Sequence, residues 1–284
     1  MWICTGFAAF RHPPRTTITP ASGPARIVSL SPDLTEILFS LGLNDKIAAV
    51  TTCSDFPPQA KDKPKVGTFW QPDIEAIIAQ RPDLVITLGF EQQRSLAERL
   101  RRLGYNCLTL DIDTIEQLFD AIKTIGEVTG RTEEADRLAA DIQDNLAALA
   151  QKVSAEKKTT VLWAVQREPL RVAGRDTFVN RFLEMAGGEN AIGGTLQKYP
   201  PIGSEQILSS GAEVIIEPVM GGDADSQRQS AREFWGRYPD LPAVKNDRIY
   251  IINGDTVSRL GPRVYDGVEL IARCLHPQLS GGQP

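Results

Sequence analysis

The chain is 284 residues long, 42% hydrophobic and 24% charged, with a formal net charge of −5. That length accommodates two domains with substantial cores, and the acidic balance excludes a nucleic acid as the main partner, since polyanion binding needs a basic face. No window holds the roughly 18 uninterrupted apolar residues of a membrane-spanning helix, and Cys4, Cys53, Cys107 and Cys274, with only His12 and His276 to help, are too scattered for a zinc or iron–sulfur site.

"MWICTGFAAF" is apolar but lacks the basic start of a complete signal peptide, and the Pro- and Thr-rich stretch after it reads as a tether. Residues 1–25 are therefore expected to be a truncated export leader and linker. A frayed cytoplasmic terminus is the alternative. From Arg26 short β-rich runs alternate with helical periodicity. "RIVSL" (26–30) reads as a strand. In "SPDLTEILFSLG" Ser31 can cap, Pro32 suits the first turn, Leu34, Ile37, Leu38 and Leu41 keep helical spacing, and Gly42 ends the element. Further strands are read at 47–50, 84–88 and 106–110, with helices near 73–80, 92–103 and 114–128.

Residues 132–153 carry no Gly or Pro and are rich in Ala, Leu and charge. They predict one helix of about six turns, roughly 33 Å at 1.5 Å per residue. Alternation then restarts, with strands at 159–165, 213–218 and 248–252, helices near 177–186 and 228–235, and a last helix from Pro262. Such alternation implies parallel strands with crossover helices on both faces. The expected fold class is α/β: two Rossmann-like α/β lobes, 26–130 and 156–284, joined by one long α-helix within 131–155, with a ligand cleft between the lobes. One rigid connection predicts little hinge motion.

The two lobes share an internal spacing. Phe69 stands six residues before Glu75, and Glu75 eight before Asp83, which leads into "LVI". Tyr199, Glu205 and Glu213 repeat those intervals before "VII". Each copy reads as a loop aromatic, a short helix carrying a carboxylate, a tight turn and a buried strand.

No phosphate loop, His-Glu-x-x-His or Gly-x-Ser-x-Gly elbow is present, and no glycine pair stands between a strand and a helix as a dinucleotide fingerprint requires. Nothing supports catalysis, and no metal ligands or resident cofactor are expected. Ligands of α/β sheets sit outside the carboxyl ends of the strands. A cleft there would be lined by Phe56, Phe69, Trp70, Phe90 and Tyr199. The best polar candidates are Asp255 and Arg259, four apart after a strand, and Arg263 stands at a helix start where its charge opposes the dipole. Glu75 and Glu205 suit helix N-termini, and their matched positions also suit docking charges at the two tops.

Together, "RIVSLSPDLTEILFSLG", "VTTCSDFPPQA", "VGTFWQPDIEAIIAQRPDLVI", "FLEMAGGEN" and "SEQILSSGAEVII" resemble the ABC-importer substrate-binding proteins of the long-helix class, which bind corrinoids, haem and ferric siderophores. The resemblance spans about 26–276 and is nearest to the vitamin B12-binding branch. It implies an extracytoplasmic receptor, monomeric and peripheral to the membrane through its permease, that delivers a cobalt corrinoid such as cobalamin or cobinamide. It also implies that Phe69 and Tyr199 flank the corrin from opposite lobes, with Trp70 beside Phe69. Asp255 and Arg259 would contact the ligand, and Glu75 and Glu205 would dock on permease arginines. Cys53 stands where the family often has an aromatic, and Leu88 where the B12 binders have a Trp, with Phe90 near enough to substitute. Some relatives pair two cysteines in the second lobe; here Cys274 matches one and Ala186 replaces the other. A ferric siderophore would call on Arg167, Arg171 and Arg175, and haem on Tyr199 as an axial ligand. A two-lobed cytoplasmic enzyme acting on a tetrapyrrole or metal substrate is the alternative from another class.

Overall fold

The computed structural model describes residues 23–221 and 224–279. The leader expected at the N-terminus therefore lies, apart from residues 23–25, outside the described residues. The first lobe runs β1 (Ile27–Ser29), α1 (Pro32–Ser40), β2 (Ile47–Val50), α2 (Ile74–Ala79), β3 (Leu84–Leu88), α3 (Glu91–Arg102), β4 (Cys107–Leu110) and α4 (Ile115–Thr129). Its sheet has the order β2-β1-β3-β4, all parallel. Neighbouring residues face opposite ways, as the period of two demands. Ile27 and Ile86 join one core cluster, while Val28 and Val85 join another beneath α2 and α3.

The long helix α5 (Thr132–Val153) has the bounds expected from the sequence. Its buried stripe, Ala135, Ala139, Ile142, Leu146, Leu149 and Val153, alternates steps of four and three, the spacing of a single helix face. Gly126 of α4 lets it approach: a Cβ there would lie 2.4 Å from the Cβ of Ala135.

The second lobe runs β5 (Thr159–Arg167), β6 (Leu170–Val172), α6 (Phe178–Met185), β7 (Gly188–Asn190), α7 (Ser204–Ser209), β8 (Val214–Val219), α8 (Ala224–Trp235), α9 (Pro242–Lys245), β9 (Ile249–Asn253), α10 (Gly254–Val257) and α11 (Val264–Leu275). Its order is β6-β5-β8-β9, with β7 pairing the start of β5. All pairs are parallel except β5 with β6, which form an antiparallel hairpin, β6 lying between the strand expected at 159–165 and the helix expected near 177–186. In both lobes the strand order changes direction beside the first strand, between β1 and β3 and between β5 and β8, the switch point where α/β proteins bind ligands.

The internal spacing has a structural counterpart. The Asp83 carboxylate accepts from the amides of Ala25 and Arg26 at 3.0 Å, ahead of β1. Glu213 accepts from the amide of Thr160 at 3.0 Å, at the start of β5. One core cluster continues from Ile27 and Ile86 through the α5 stripe to Val161, Ile216 and α11, so the lobes share an interior. Ser31 occupies the N-cap position of α1, but its side chain makes no capping bond. Cys53, Cys107 and Cys274 are free thiols.

Candidate functional site

The segment between Val66 and Asp73 is a tight turn that lifts two aromatic rings to its tip. Gly67 and Pro72 bridge, and Thr68 N–H donates to Gln71 O at 3.1 Å. Gly67 has φ +91°, and a Cβ there would meet Gln71 O at 2.6 Å and Asp73 N at 2.7 Å, so only glycine fits. Phe69 is half-buried and Trp70 is 66% exposed. Their rings meet edge-on, centroids 4.9 Å apart. Phe90, the N-cap of α3 directly beyond β3, completes a trio at 5.1 Å from Phe69 and 5.6 Å from Trp70.

Gln93 fixes this trio to the sheet. Fully buried, its amide donates to Leu30 O at 2.8 Å and Phe69 O at 3.1 Å. Its carbonyl accepts from Leu88 N at 2.9 Å and from the Thr87 hydroxyl. One side chain thereby spans the β1/β3 switch point and holds the loop above it. Sequence reasoning missed Gln93; the available signal is its place in the buried stripe Gln93, Leu96, Ala97 and Leu100 of α3. Beneath lies a buried hydroxyl network in which Thr35 donates to Ser29 and Ser31, and Ser54 pairs with Thr51 at 2.9 Å. Cys53, partly exposed, sits 3.5 Å from the Thr51 hydroxyl.

The second lobe brings Arg259 to the seam. Its Nη2 pairs with Asp255 at 2.6 Å, the expected i,i+4 contact, with Asp255 on the one-turn helix α10. Its Nη1 also stands 3.5 Å from Asp55 and 3.7 Å from Glu36, both of the first lobe. Arg263 forms a two-pronged pair with Glu36 at 2.6 and 2.8 Å, and its guanidinium lies 3.9 Å from the ring centroid of Phe56. Phe56 thus stacks on the seam arginine while staying 40% exposed, and it has no ring contact with the trio among the described residues. A cavity of about 360 Å³ beside Phe56 and Arg263 is likewise bounded by none of the trio. Burial above all, and then Glu36, pushes the Asp33 carboxyl up to about 7, against the pull of Arg259 and Arg263.

Tyr199 stands apart, half-buried and packed against the main core cluster, where burial raises its hydroxyl pKa. Arg171 donates to its carbonyl at 3.1 Å. Arg167, at the end of β5, grips buried Glu217 of β8 at 2.6 Å, and Trp235 donates to the same carboxylate at 2.7 Å, bridging the second switch point. Arg175 donates to Ile192 O at 3.2 Å and lies 3.6 Å from Glu189. Glu75 and Glu205 are both exposed, each second in its six-residue helix, α2 or α7. Among the described residues no group of three or more His, Cys, Asp or Glu could hold a metal ion, and no helix is long and apolar enough to cross a membrane.

The family model described as "Periplasmic binding protein" matches residues 27–256, so the chain belongs to that family of extracytoplasmic binding proteins. A vitamin B12-binding protein of Vibrio campbellii is 30% identical over 250 residues, 87% of this chain and 88% of that protein. An ABC transporter substrate-binding lipoprotein of Bacillus subtilis is 30% identical over 269 residues, 92% of this chain and 82% of that one. The crystal structure of a possible iron-binding (periplasmic solute-binding) protein from Staphylococcus epidermidis superposes with a TM-score of 0.78 at 28% identity, covering 90% of this chain and all of that one. The family and these relatives are binding proteins, which overturns the reading as a cytoplasmic enzyme, a reading that rested on the two-lobed α/β fold alone.

Proposed function

We propose that this member of the periplasmic binding protein family captures a corrinoid, cobalamin or cobinamide, between its lobes and delivers it to an ABC importer. The observation that carries the reading is the trio Phe69, Trp70 and Phe90, held at the switch point by Gln93 with Trp70 largely exposed. A flat, mostly apolar macrocycle suits such a wall. Each ring face that covers roughly 100 Å² of ligand contributes about 2.5 kcal/mol, and three give about 8. Nanomolar affinity needs about 12 kcal/mol, so polar groups must add to it. Asp255 and Arg259 supply them, suited to the amide groups at a corrin's edge. Cys53, Tyr199 and Phe56 stand at the margins, and Glu75 and Glu205 meet the permease. The receptor works as a monomer, peripheral to the membrane through that permease.

The arginines that an anionic ferric siderophore would use are already bonded, Arg167 to Glu217, Arg171 to Tyr199 O and Arg175 to Ile192 O. A haem-ligating tyrosinate is disfavoured at Tyr199, because burial resists its ionisation. The second reading, a haem or ferric-siderophore binder, draws its support from the Staphylococcus epidermidis structure described as a possible iron-binding protein.

Tryptophan fluorescence separates them. Trp163 and Trp235 are buried, so Trp70 is the exposed reporter among the described residues. Cyanocobalamin or cobinamide is expected to quench it with one-to-one stoichiometry, and Trp70→Leu to remove most of the quench. No binding at micromolar corrinoid, or a Soret band from haem captured instead, overturns the corrinoid reading.

A further inference from the structure

Glu36 belongs to the first lobe, yet its ion pairs among the described residues both run to the second. It lies in α1 with a side chain 3% exposed. Its Oε1 takes Nη2 of Arg263 at 2.6 Å and stands 3.7 Å from Nη1 of Arg259. Its Oε2 takes Nε of Arg263 at 2.8 Å. Arg263 is itself immobilised, bonded along its edge by Glu36 and covered on its face by Phe56.

A buried carboxylate is a poor way merely to join two lobes, because well-packed apolar residues of similar volume do so without losing hydration. What the carboxylate adds is direction. A free arginine side chain has many rotamers, and ordering it lowers affinity if left until the ligand arrives. Arg259 has Asp255 on its own lobe, but one ion pair leaves the guanidinium free to swing about that contact. Glu36 gives a second fixed anion from the opposite side. Asp55 is slightly nearer, accepting from Nη1 at 3.5 Å, but it is 44% exposed and on a loop, whereas Glu36 is 3% exposed and fixed on a helix by Arg263.

We propose that Glu36 is a positioning residue for ligand capture: it holds Arg259 of the opposite lobe across the seam, with Arg263 clamping Glu36 in turn. The proposal rests on the reading of Arg259 as a ligand contact.

The test is a double-mutant cycle read by cyanocobalamin quenching. Glu36→Gln is expected to weaken binding about tenfold in the parent and less than about twofold in an Arg259→Gln background, the non-additivity of residues acting through one another. Equal losses in both backgrounds would mean a general structural role and overturn the proposal. Glu36→Asp keeps the buried charge while drawing it back by one methylene, and the same non-additivity is expected from it should Glu36→Gln not fold. Arg259→Gln binding as tightly as the parent overturns the reading of Arg259 itself. A weakened Arg259→Gln beside an unaffected Glu36→Gln overturns this proposal alone. Guanidinium nitrogen–proton spectra of the ligand-free protein give an answer independent of the ligand. Slow rotation of the Arg259 guanidinium is expected in the parent and faster rotation in Glu36→Asp; identical spectra overturn the proposal.

Discussion

Asp33 and Glu36 stand three residues apart on α1, on one face, and Gly261 of the second lobe lies across both: a Cβ there would be 3.6 Å from Glu36 Oε2 and 3.8 Å from the Asp33 Cα. Glu36 takes the arginines, which leaves Asp33 as a second carboxyl in the same partly dehydrated space without an ion pair of its own among the described residues. Its pKa, raised from 3.8 to about 7 by burial and then by Glu36, means that the folded chain binds a proton there which the unfolded chain has released. Stability should therefore fall as pH rises from about 4 to about 7 and level off above, the opposite of a salt-bridged aspartate. Asp33→Asn carries no charge to penalise. It is expected to match the parent near pH 3.5 and to exceed it by about 2 kcal/mol at pH 8, less than full burial would give because the side chain remains partly exposed. Urea unfolding at the two pH values measures this, and an unchanged gap between parent and variant would show that folding leaves the Asp33 pKa where it is in the unfolded chain. An Asp near a helix start gave no hint of this in the sequence, since the burial that dominates the shift depends on packing such as that of Gly261, more than 220 residues away.

Among the elements, the α2 and α3 entrances decide the shape of the aromatic wall. Gly67 sets the turn, Asp73 caps α2 by accepting from Glu75 N at 2.9 Å and Ala76 N at 3.2 Å, and Gln93 ties the turn to two strand ends. Gln93→Met keeps the volume but leaves Leu30 O, Phe69 O and Leu88 N without their partner. A loss of about 2–4 kcal/mol in urea unfolding is expected, with weaker corrinoid binding as the Phe69 turn loosens. A variant as stable as the parent would mean that those backbone groups find other partners. The same elements show which features were legible in advance. The strands at 47–50 and 84–88 and the helix at 132–153 have the bounds expected, because continuous apolar runs and an uninterrupted helical stripe carry their own period. The three-residue strands β6 and β7 are too short to show any period and are held by pairing with β5. Phe69 and Trp70 stood out as aromatics in a turn, and Asp255 with Arg259 as a pair one helical turn apart. Gln93, Glu36 and the Arg167–Glu217 pair did not, because polar residues inside regular elements look solvated until their distant partners are known.

On the scale of the molecule, α5 and α11 run the interior of one lobe into the other, and the Glu36–Arg263 pair closes the seam, contacts that oppose hinging between the lobes. This bears on delivery more than on capture. Glu75 and Glu205 are each the second residue of a six-residue helix entered from the aromatic loop of its lobe, and both are exposed. If they meet arginines of a permease, a stiff frame keeps the two carboxylates at one separation, and both can engage without an ordering cost. Exposed charges of this kind contribute little to folding, where a surface ion pair adds about 0–1 kcal/mol. Reversing them should therefore spare the receptor and break its partnership. Glu75→Lys and Glu205→Lys together are expected to leave the melting temperature and corrinoid affinity unchanged while abolishing uptake through the importer in reconstituted vesicles. Either change alone should reduce uptake less than the pair, because the second contact still operates. Loss of corrinoid affinity in the double variant would assign the two glutamates to the ligand site, and full uptake by it would remove them from the docking surface.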